Sequence, residues 1–371
     1  MRTVNAGMDR FIGYISDKNL YIYGIGDIYQ RLMSREVYHP IHERVVGYID
    51  NGKAGQDIEV FGKKYHVYDV GFLQSVGQGV VLLCGEKYMD EMYRALCGQQ
   101  LSDNIECFIL PLIWTVTDGR GDMRIKELLS EDTNDCNRKI DKRIHCFWFS
   151  GEKKPRTYQK CIDSWRKVCP DYEIIEWNAD NYDCNKNIFM KKAYEGKKWA
   201  FVSDYARLDV IYHFGGIYLD MDVELLKPLD PLLKFKAFFN FGTQYEIDLG
   251  SGFGSIKNNP LIGSLLQMYT DQEFCDEYEN LALDKFVQPA LIKEEFPKWG
   301  IRMDGSMQLV DDMLLLPRKY YSPVDDFFLQ NFIQCDDTMG IHHYNAGWWT
   351  KKNHEQRRNR LSWVDIAKRL V

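Results

Sequence analysis

Asp220 and Asp222 stand one residue apart at the end of an apolar run, Gly216-Ile217-Tyr218-Leu219. Two carboxylates this close repel each other unless a cation shares them. Mg²⁺ and Mn²⁺ take oxygen ligands and commonly bridge carboxylates to a diphosphate. On an extended strand, residues i and i+2 point the same way, so the pair offers both carboxylates to one ion while Met221 faces away. An isolated Asp-x-Asp is ordinarily a solvated strand end, and the neighbours decide between the two readings. Upstream, the spacing of Phe201, Tyr205, Leu208 and Tyr212 predicts an amphipathic helix over 201–213. Asp204 and Arg207, three residues apart, share another of its faces. Gly215-Gly216 ends that helix and feeds straight into the acidic run. Arg207 suits a phosphate or a sugar hydroxyl, and Asp204 suits a sugar hydroxyl.

The elements that must position these groups read as strand–helix alternation in two stretches. In the first, LYIYGIG, VVGYID, VVLLCG and CFILPL are apolar strands separated by helical runs, the pattern of a parallel sheet covered by helices. Residues 27–37 are predicted helical. Residues 118–141 are polar and read as a linker. The second stretch opens with RIHCFWFSG (143–151) and leads to the acidic run. The expected organisation is a Rossmann-like domain over 1–117, the linker, and an α/β catalytic domain over 142–371 with a basic tail.

In the first domain, Gly24-Ile25-Gly26 lies between strand and helix, and Asp50 ends the next strand where a ribose-binding acid sits in dinucleotide domains. Tyr29 occupies the third glycine position, where it resists close packing and crowds a pyrophosphate. The domain therefore reads as structural or recruiting first, and as a nucleotide binder second.

The chain has 371 residues, 45% of them apolar, and a net charge of −7. That charge excludes a strongly basic nucleic-acid binder. Ten cysteines are scattered without a CxxC pair, which argues against a zinc site and for reduced thiols, hence a cytoplasmic setting. The best apolar run, residues 107–116, is about half of what a bilayer span requires. The tail 350–371 carries seven Lys/Arg, read as a solvated helix or as a peripheral contact with an anionic membrane face or glycolipid.

Ser203-Asp204, Arg207, Ile211, Gly215-Gly216, Tyr218, Asp220 and Asp222 together form a run that resembles the sugar transferases with the DXD sugar-binding motif, glycosyltransferase family 32. That family includes yeast initiating mannosyltransferases and bacterial capsular polysaccharide transferases. The run is also similar to the glucosyltransferase domain of the large clostridial toxins. RIHCFWFSG, SWRKVCPDYEIIEWN (164–178) and IHHYNAGWW (341–349) extend the resemblance over residues 142–349.

It implies a GT-A type nucleotide-sugar transferase, acting with retention of configuration. Trp148 would lie against the nucleotide base, and Asp204 and Arg207 would hold the donor sugar. Tyr218, Ser203 and Trp348 would complete the donor site. Asp220 and Asp222 would bind Mn²⁺ or Mg²⁺ and the diphosphate, with a histidine completing the metal shell. His343 is favoured over His342. Gly347 departs from the family serine. The implied donor is a UDP-sugar, or else a GDP-sugar. The implied acceptor is a glycan or lipid-linked oligosaccharide of bacterial surface polysaccharide synthesis. The competing readings are an NAD(P)-dependent oxidoreductase built on the N-terminal glycines and a non-catalytic nucleotide-sugar binder. Asp248-Leu-Gly-Ser-Gly-Phe-Gly (248–254) is either an acceptor-side loop or a plain turn, and Asp311 and Asp312 are weaker site candidates.

Overall fold

The apolar runs are long enough to be buried on both faces, and the computed structural model shows them so. The structure describes residues 1–35, 38–85, 88–115, 127–129, 138–274, 287–325, 330–331 and 333–345. They separate into two compact units, one within residues 1–118 and the other within 119–354. Among them no helix is long and apolar enough to cross a membrane. The basic tail lies outside the described residues, as do Gly347 and Trp348.

The first unit is a seven-stranded sheet. Its strands are β1 (Arg2–Thr3), β2 (Leu20–Tyr23), β3 (Val45–Ile49), β4 (Asp57–Val60), β5 (Lys63–Tyr68), β6 (Gly79–Leu83) and β7 (Ile105–Ile109), in the order β1-β7-β6-β2-β3-β5-β4. Every pairing is parallel except the β4–β5 hairpin. Gly24 turns the chain after β2 at φ +96°, and a Cβ there would sit 2.8 Å from the Cys84 carbonyl oxygen. The helix that follows is shorter than predicted, Asp27–Met33.

Tyr29 stands on the helix after the glycine turn. It is buried and its hydroxyl meets that of Tyr48 at 2.7 Å, so a polar partner inside the unit accounts for the bulky residue at the third glycine position. Asp50 closes the turn on itself. Its two oxygens accept from the backbone amides of Ile25 (3.2 Å) and Gly52 (3.0 Å).

The second unit carries the acidic run. Its main sheet contains β8 (Arg143–Phe147), β9 (Glu173–Trp177), β10 (Gly216–Tyr218), β12 (Ala237–Asn240), β13 (Phe253–Ser255), β14 (Gln308–Val310) and β15 (Met313–Leu316), in the order β14-β15-β12-β13-β10-β8-β9. It mixes parallel pairs (β8 with β9 and β10, β12 with β15) with antiparallel ones at β13 and β14. β11 (Val223–Leu225) leaves that sheet and pairs antiparallel with β18 (Gly340–His342), and β16 (Val324–Asp325) pairs with β17 (Gln330–Asn331). Both units are α/β, as expected. The core begins before residue 142. Ile140, expected in the linker, is 1% exposed and its amide bonds to the Leu233 carbonyl at 2.9 Å.

The helix predicted over 201–213 spans Trp199–Phe214. It is more deeply embedded than an amphipathic surface helix: Asp209 is buried, and its carboxylate accepts from Tyr182 (2.7 Å) and Lys186 (2.8 Å). Gly215 and Gly216, at φ +67° and +99°, make the sharp return into β10. A Cβ on Gly216 would lie 3.0 Å from His145 Nε2 and from the Arg143 carbonyl oxygen, so the turn packs directly on β8.

His145 locks this turn in place. The Trp177 indole, which can only donate, reaches His145 Nδ1 at 3.1 Å. Nε2 therefore carries the proton, which it gives to the Gly215 carbonyl at 3.0 Å. Both partners fit only the neutral ring, and burial pushes its pKa down to about 4. The unfolded chain takes up that proton near pH 6.5, so stability falls as pH drops from there toward 4, by up to about 3 kcal/mol. Urea unfolding should show wild type losing stability relative to His145→Gln from pH 7 to pH 4.5, because glutamine makes both contacts without titrating. A gap that does not change with pH would disprove the assignment.

Candidate functional site

The acidic pair does not sit on a continuous strand. β10 stops at Tyr218 and β11 starts at Val223, so Asp220 and Asp222 occupy the link between two sheets. That link turns, with the Val223 amide bonded to the Asp220 carbonyl at 3.0 Å. Strand alternation was therefore the wrong reason for their convergence. The turn brings the carboxylates round to His342 on β18, and one ligand atom from each of the three residues lies within 4.8 Å of the others.

His342 Nε2 is 3.3 Å from Asp222 Oδ1 and 4.0 Å from Asp220 Oδ2. The structure brings His342, and not the favoured His343, to the acidic pair. His342, the last residue of β18, is buried, and His343 just beyond it is exposed, with its ring on Glu224 at 3.0 Å.

Each member of the cluster is held by its own partners. The Tyr218 hydroxyl donates to Asp220 Oδ1, and Arg207 lies 3.8 Å from the same oxygen. Asp222 Oδ2 accepts the Asn345 amide at 2.9 Å. A Cβ on Gly250 would lie 2.8 Å from Asp220 Oδ2, so only glycine lets that loop approach the acids this closely. Burial raises the Asp220 carboxyl above its ordinary range, Arg207 offsets part of the rise, and Asp222 adds to it. Burial also opposes ionisation of Asp222, but His342 outweighs it and holds that carboxyl below the usual range. His342 shows the converse: burial disfavours its charge, yet Asp222 and Asp248 hold its pKa well above the ordinary value. A donor set of two carboxylates and one imidazole, gathered into one cluster, fits Mn²⁺ and, less fully, Mg²⁺.

Beside the cluster, Arg207 is not a surface partner for Asp204. Its side chain is 6% exposed, reaches Asp204 Oδ1 at 3.0 Å, and covers the Tyr218 ring at 4.8 Å. Burial raises the Asp204 carboxyl to about 6, against the opposing pull of Arg207. Tyr218 therefore lies beneath Arg207 and Asp220 as a support, where the sequence suggested a pocket wall. The Ser203 hydroxyl donates back to the Trp199 carbonyl at 3.1 Å within its own helix.

Trp148 stands at the end of β8, with its indole N–H on the Glu152 carbonyl at 2.7 Å and its ring edge-on to Tyr158. Burial, and then the negative Asp222 and Asp220, push the Tyr158 phenol up to about 12. Asp311 and Asp312 are turn residues with left-handed backbone, paired with Lys236 (3.0 Å) and Lys139 (2.6 Å).

Sequence reasoning did not find Tyr344 or the Asn345 amide, and it left Asp248 between two readings. Asp248 accepts the amides of Gly250 (2.9 Å) and Ser251 (3.1 Å) as a turn residue does. Its other oxygen lies 3.3 Å from His342 Nδ1 and accepts from the Tyr344 hydroxyl at 2.9 Å. These contacts pull its carboxyl down to about 2, against the effect of burial.

Residues 155–239 match the glycosyltransferase sugar-binding region containing the DXD motif. The chain is similar to inositol phosphoceramide mannosyltransferase 1 of Schizosaccharomyces pombe, 32% identical over 111 residues, which are 27% of this chain and 33% of the relative. It is similar to mannosyl phosphorylinositol ceramide synthase SUR1 of Saccharomyces cerevisiae, 24% identical over 159 residues, 41% of this chain and 40% of the relative. An uncharacterized glycosyltransferase, L373, of Acanthamoeba polyphaga mimivirus is 26% identical over 219 residues, 55% of this chain and 82% of the relative. Among solved structures, the PaToxG glycosyltransferase aligns with a TM-score of 0.33 at 20% identity, covering 48% of this chain and 79% of that one. The chain thus spans about a third to two-fifths of the length of the two yeast relatives.

Proposed function

We propose, for a chain that carries the sugar-binding region of the DXD glycosyltransferases, that it is a metal-dependent hexosyltransferase using a nucleoside-diphosphate sugar. The observation that carries this reading is the convergence of Asp220, Asp222 and His342 directly beside the buried Arg207–Asp204 pair. A divalent cation on those three residues would supply charge neutralisation for the leaving diphosphate. Arg207 presents a fixed, permanently charged fork to a phosphate or sugar oxygen. Asp204 accepts from a sugar hydroxyl, and together they hold the anomeric carbon within reach of the acceptor hydroxyl. The acceptor oxygen forms the new bond as the carbon–phosphate oxygen bond breaks, and the acceptor proton passes to the departing phosphate. Retention is part of the proposal. The nearby carboxylates are already engaged, Asp204 by Arg207, Asp220 by Tyr218, and Asp248 by His342 and Tyr344. Front-face attack therefore fits better than a covalent intermediate, and a trapped glycosyl adduct on the protein would refute it.

The relatives' names specify mannosyl transfer to inositol phosphoceramide. They support mannose as the sugar and the hydroxyl of a glycolipid polyol as the acceptor, in place of the bacterial polysaccharide suggested by the sequence. The UDP-sugar favoured there and a GDP-sugar are both tested directly. Calorimetric titration with GDP and with UDP, each with Mn²⁺ and again with EDTA, should show one nucleotide bound only with the ion. Binding that survives EDTA, or binding of NAD alone, would sink the reading.

A further inference from the structure

Asp248 joins three segments that lie far apart in sequence. Its Oδ1 accepts the amides of Gly250 and Ser251, and the Ser251 hydroxyl donates back to the Asp248 carbonyl at 2.9 Å. Its Oδ2 is shared by His342 Nδ1 and the Tyr344 hydroxyl. The Tyr344 ring lies 4.0 Å from that of His342, and its hydroxyl is held in turn by Ser322 at 3.0 Å. With a different set of partners on each oxygen, the carboxylate cannot rotate without breaking several bonds. The edge it gives to His342 is therefore fixed.

A neutral imidazole has one lone pair to give, on whichever ring nitrogen lacks the proton. The group touching the other nitrogen decides which that is. An ionised carboxylate only accepts, so Asp248 draws the proton to Nδ1. Asp222 draws a proton to Nε2 in the same way, so the two carboxylates hold the ring cationic until an ion on Asp222 and Asp220 displaces the Nε2 proton and takes that lone pair, while Asp248 keeps the proton on Nδ1. We propose that Asp248 is the positioning residue of the cation site, fixing the tautomer and the ring plane of His342 so that Nε2 can ligate. This rests on the reading of Asp220, Asp222 and His342 as a divalent-cation site.

Asp248→Asn keeps the side-chain shape and the oxygen that caps Gly250 and Ser251, but turns an amide N–H toward Nδ1. Nδ1 then accepts, the one proton of the neutral ring sits on Nε2, and the lone pair is lost to the ion. Mn²⁺ titration of the whole protein, followed by electron paramagnetic resonance, should show affinity weakened by about 10–100-fold. The melting midpoint should stay close to wild type. Tyr344→Phe removes the other hydroxyl on the same oxygen without offering His342 a donor, and should weaken Mn²⁺ less than Asp248→Asn does. Ring ¹⁵N resonances of the metal-free protein near neutral pH provide a readout independent of any ion. Both ring nitrogens should be protonated in wild type, and Nδ1 unprotonated in Asp248→Asn. An Asp248→Asn protein that binds Mn²⁺ as wild type does, or that keeps the proton on Nδ1, overturns the proposal. Should wild type itself bind no Mn²⁺, the cation reading fails, and the ¹⁵N pattern still decides what Asp248 does to the ring.

Discussion

Asp222→Ala is expected to abolish Mn²⁺-dependent nucleotide binding and to lower sugar transfer by at least about 10²–10³-fold. Of the two aspartates, Asp222 is the more fully committed to the cluster. It is 8% exposed, its Oδ2 is pinned by the Asn345 amide, and its Oδ1 faces His342. Asp220 already shares an oxygen with Tyr218 and Arg207, which leaves Oδ2 as its free ligand edge. Removing Asp222 takes away one of two carboxylates and also strips His342 of a partner. Asp222→Asn separates these effects, because the amide keeps the volume and loses the charge. Glu224→Gln is the control, since that half-exposed acid pairs with His343 outside the cluster. Transfer of labelled sugar, measured with thermal melts of each variant, checks the prediction. An Asp222→Asn protein that is folded and still transfers sugar in an ion-dependent way would mean that the acidic turn is not the site.

The chemistry legible in the sequence was the chemistry carried by local spacing. Asp204, Arg207, the two glycines, Tyr218 and the acidic pair fall within nineteen residues, and the chain between them is one helix, one turn and one strand. Helical period and the glycine stop fix their neighbourhood with little help from the rest of the fold. Asp248 and His342 are 94 residues apart and meet only because β11 leaves the main sheet to pair with β18. Nothing in local pattern announces that departure. That His342, and not His343, comes to the acidic pair was hidden for a related reason. Strand alternation says that adjacent residues face opposite ways, but only the pairing partner says which way is inward. The acidic pair shows a right outcome from a wrong premise, because the carboxylates converge through a turn and not through a strand. In the first unit the parallel strands were legible from their continuous apolar runs. Tyr29 was not, because its hydroxyl reaches from the helix Asp27–Met33 to Tyr48 on β3.

Arg207→Met should destabilise the second unit by about 3 kcal/mol, the lower part of the range for breaking a buried ion pair. The lower part applies because Asp220 is 29% exposed and part of its charge stays solvated. At roughly 2–4 °C per kcal/mol this is a fall of about 6–12 °C in melting midpoint. The methionine matches the arginine stem in length and still packs on Tyr218, so the loss measures the charge. The penalty has a defined pH dependence. Burial already holds the Asp204 carboxyl at about 6, above its ordinary value of 3.8, with Arg207 opposing the rise and Asp220 adding to it. A carboxyl raised on folding contributes stability below its unfolded pKa and loses that contribution as pH rises through the folded one. Without Arg207 the folded value climbs further. The variant is then most destabilised above pH 6, and it recovers toward wild type near pH 5, where Asp204 is protonated. Arg207→Lys retains a cation beside both acids and should keep most of the stability. It loses the planar fork, so nucleotide-sugar binding should still weaken. Urea unfolding of both variants at pH 5 and pH 7.5, with titration of the nucleotide-sugar, separates the two roles. A methionine variant equally destabilised at both pH values would show that Arg207 acts by packing and not by charge.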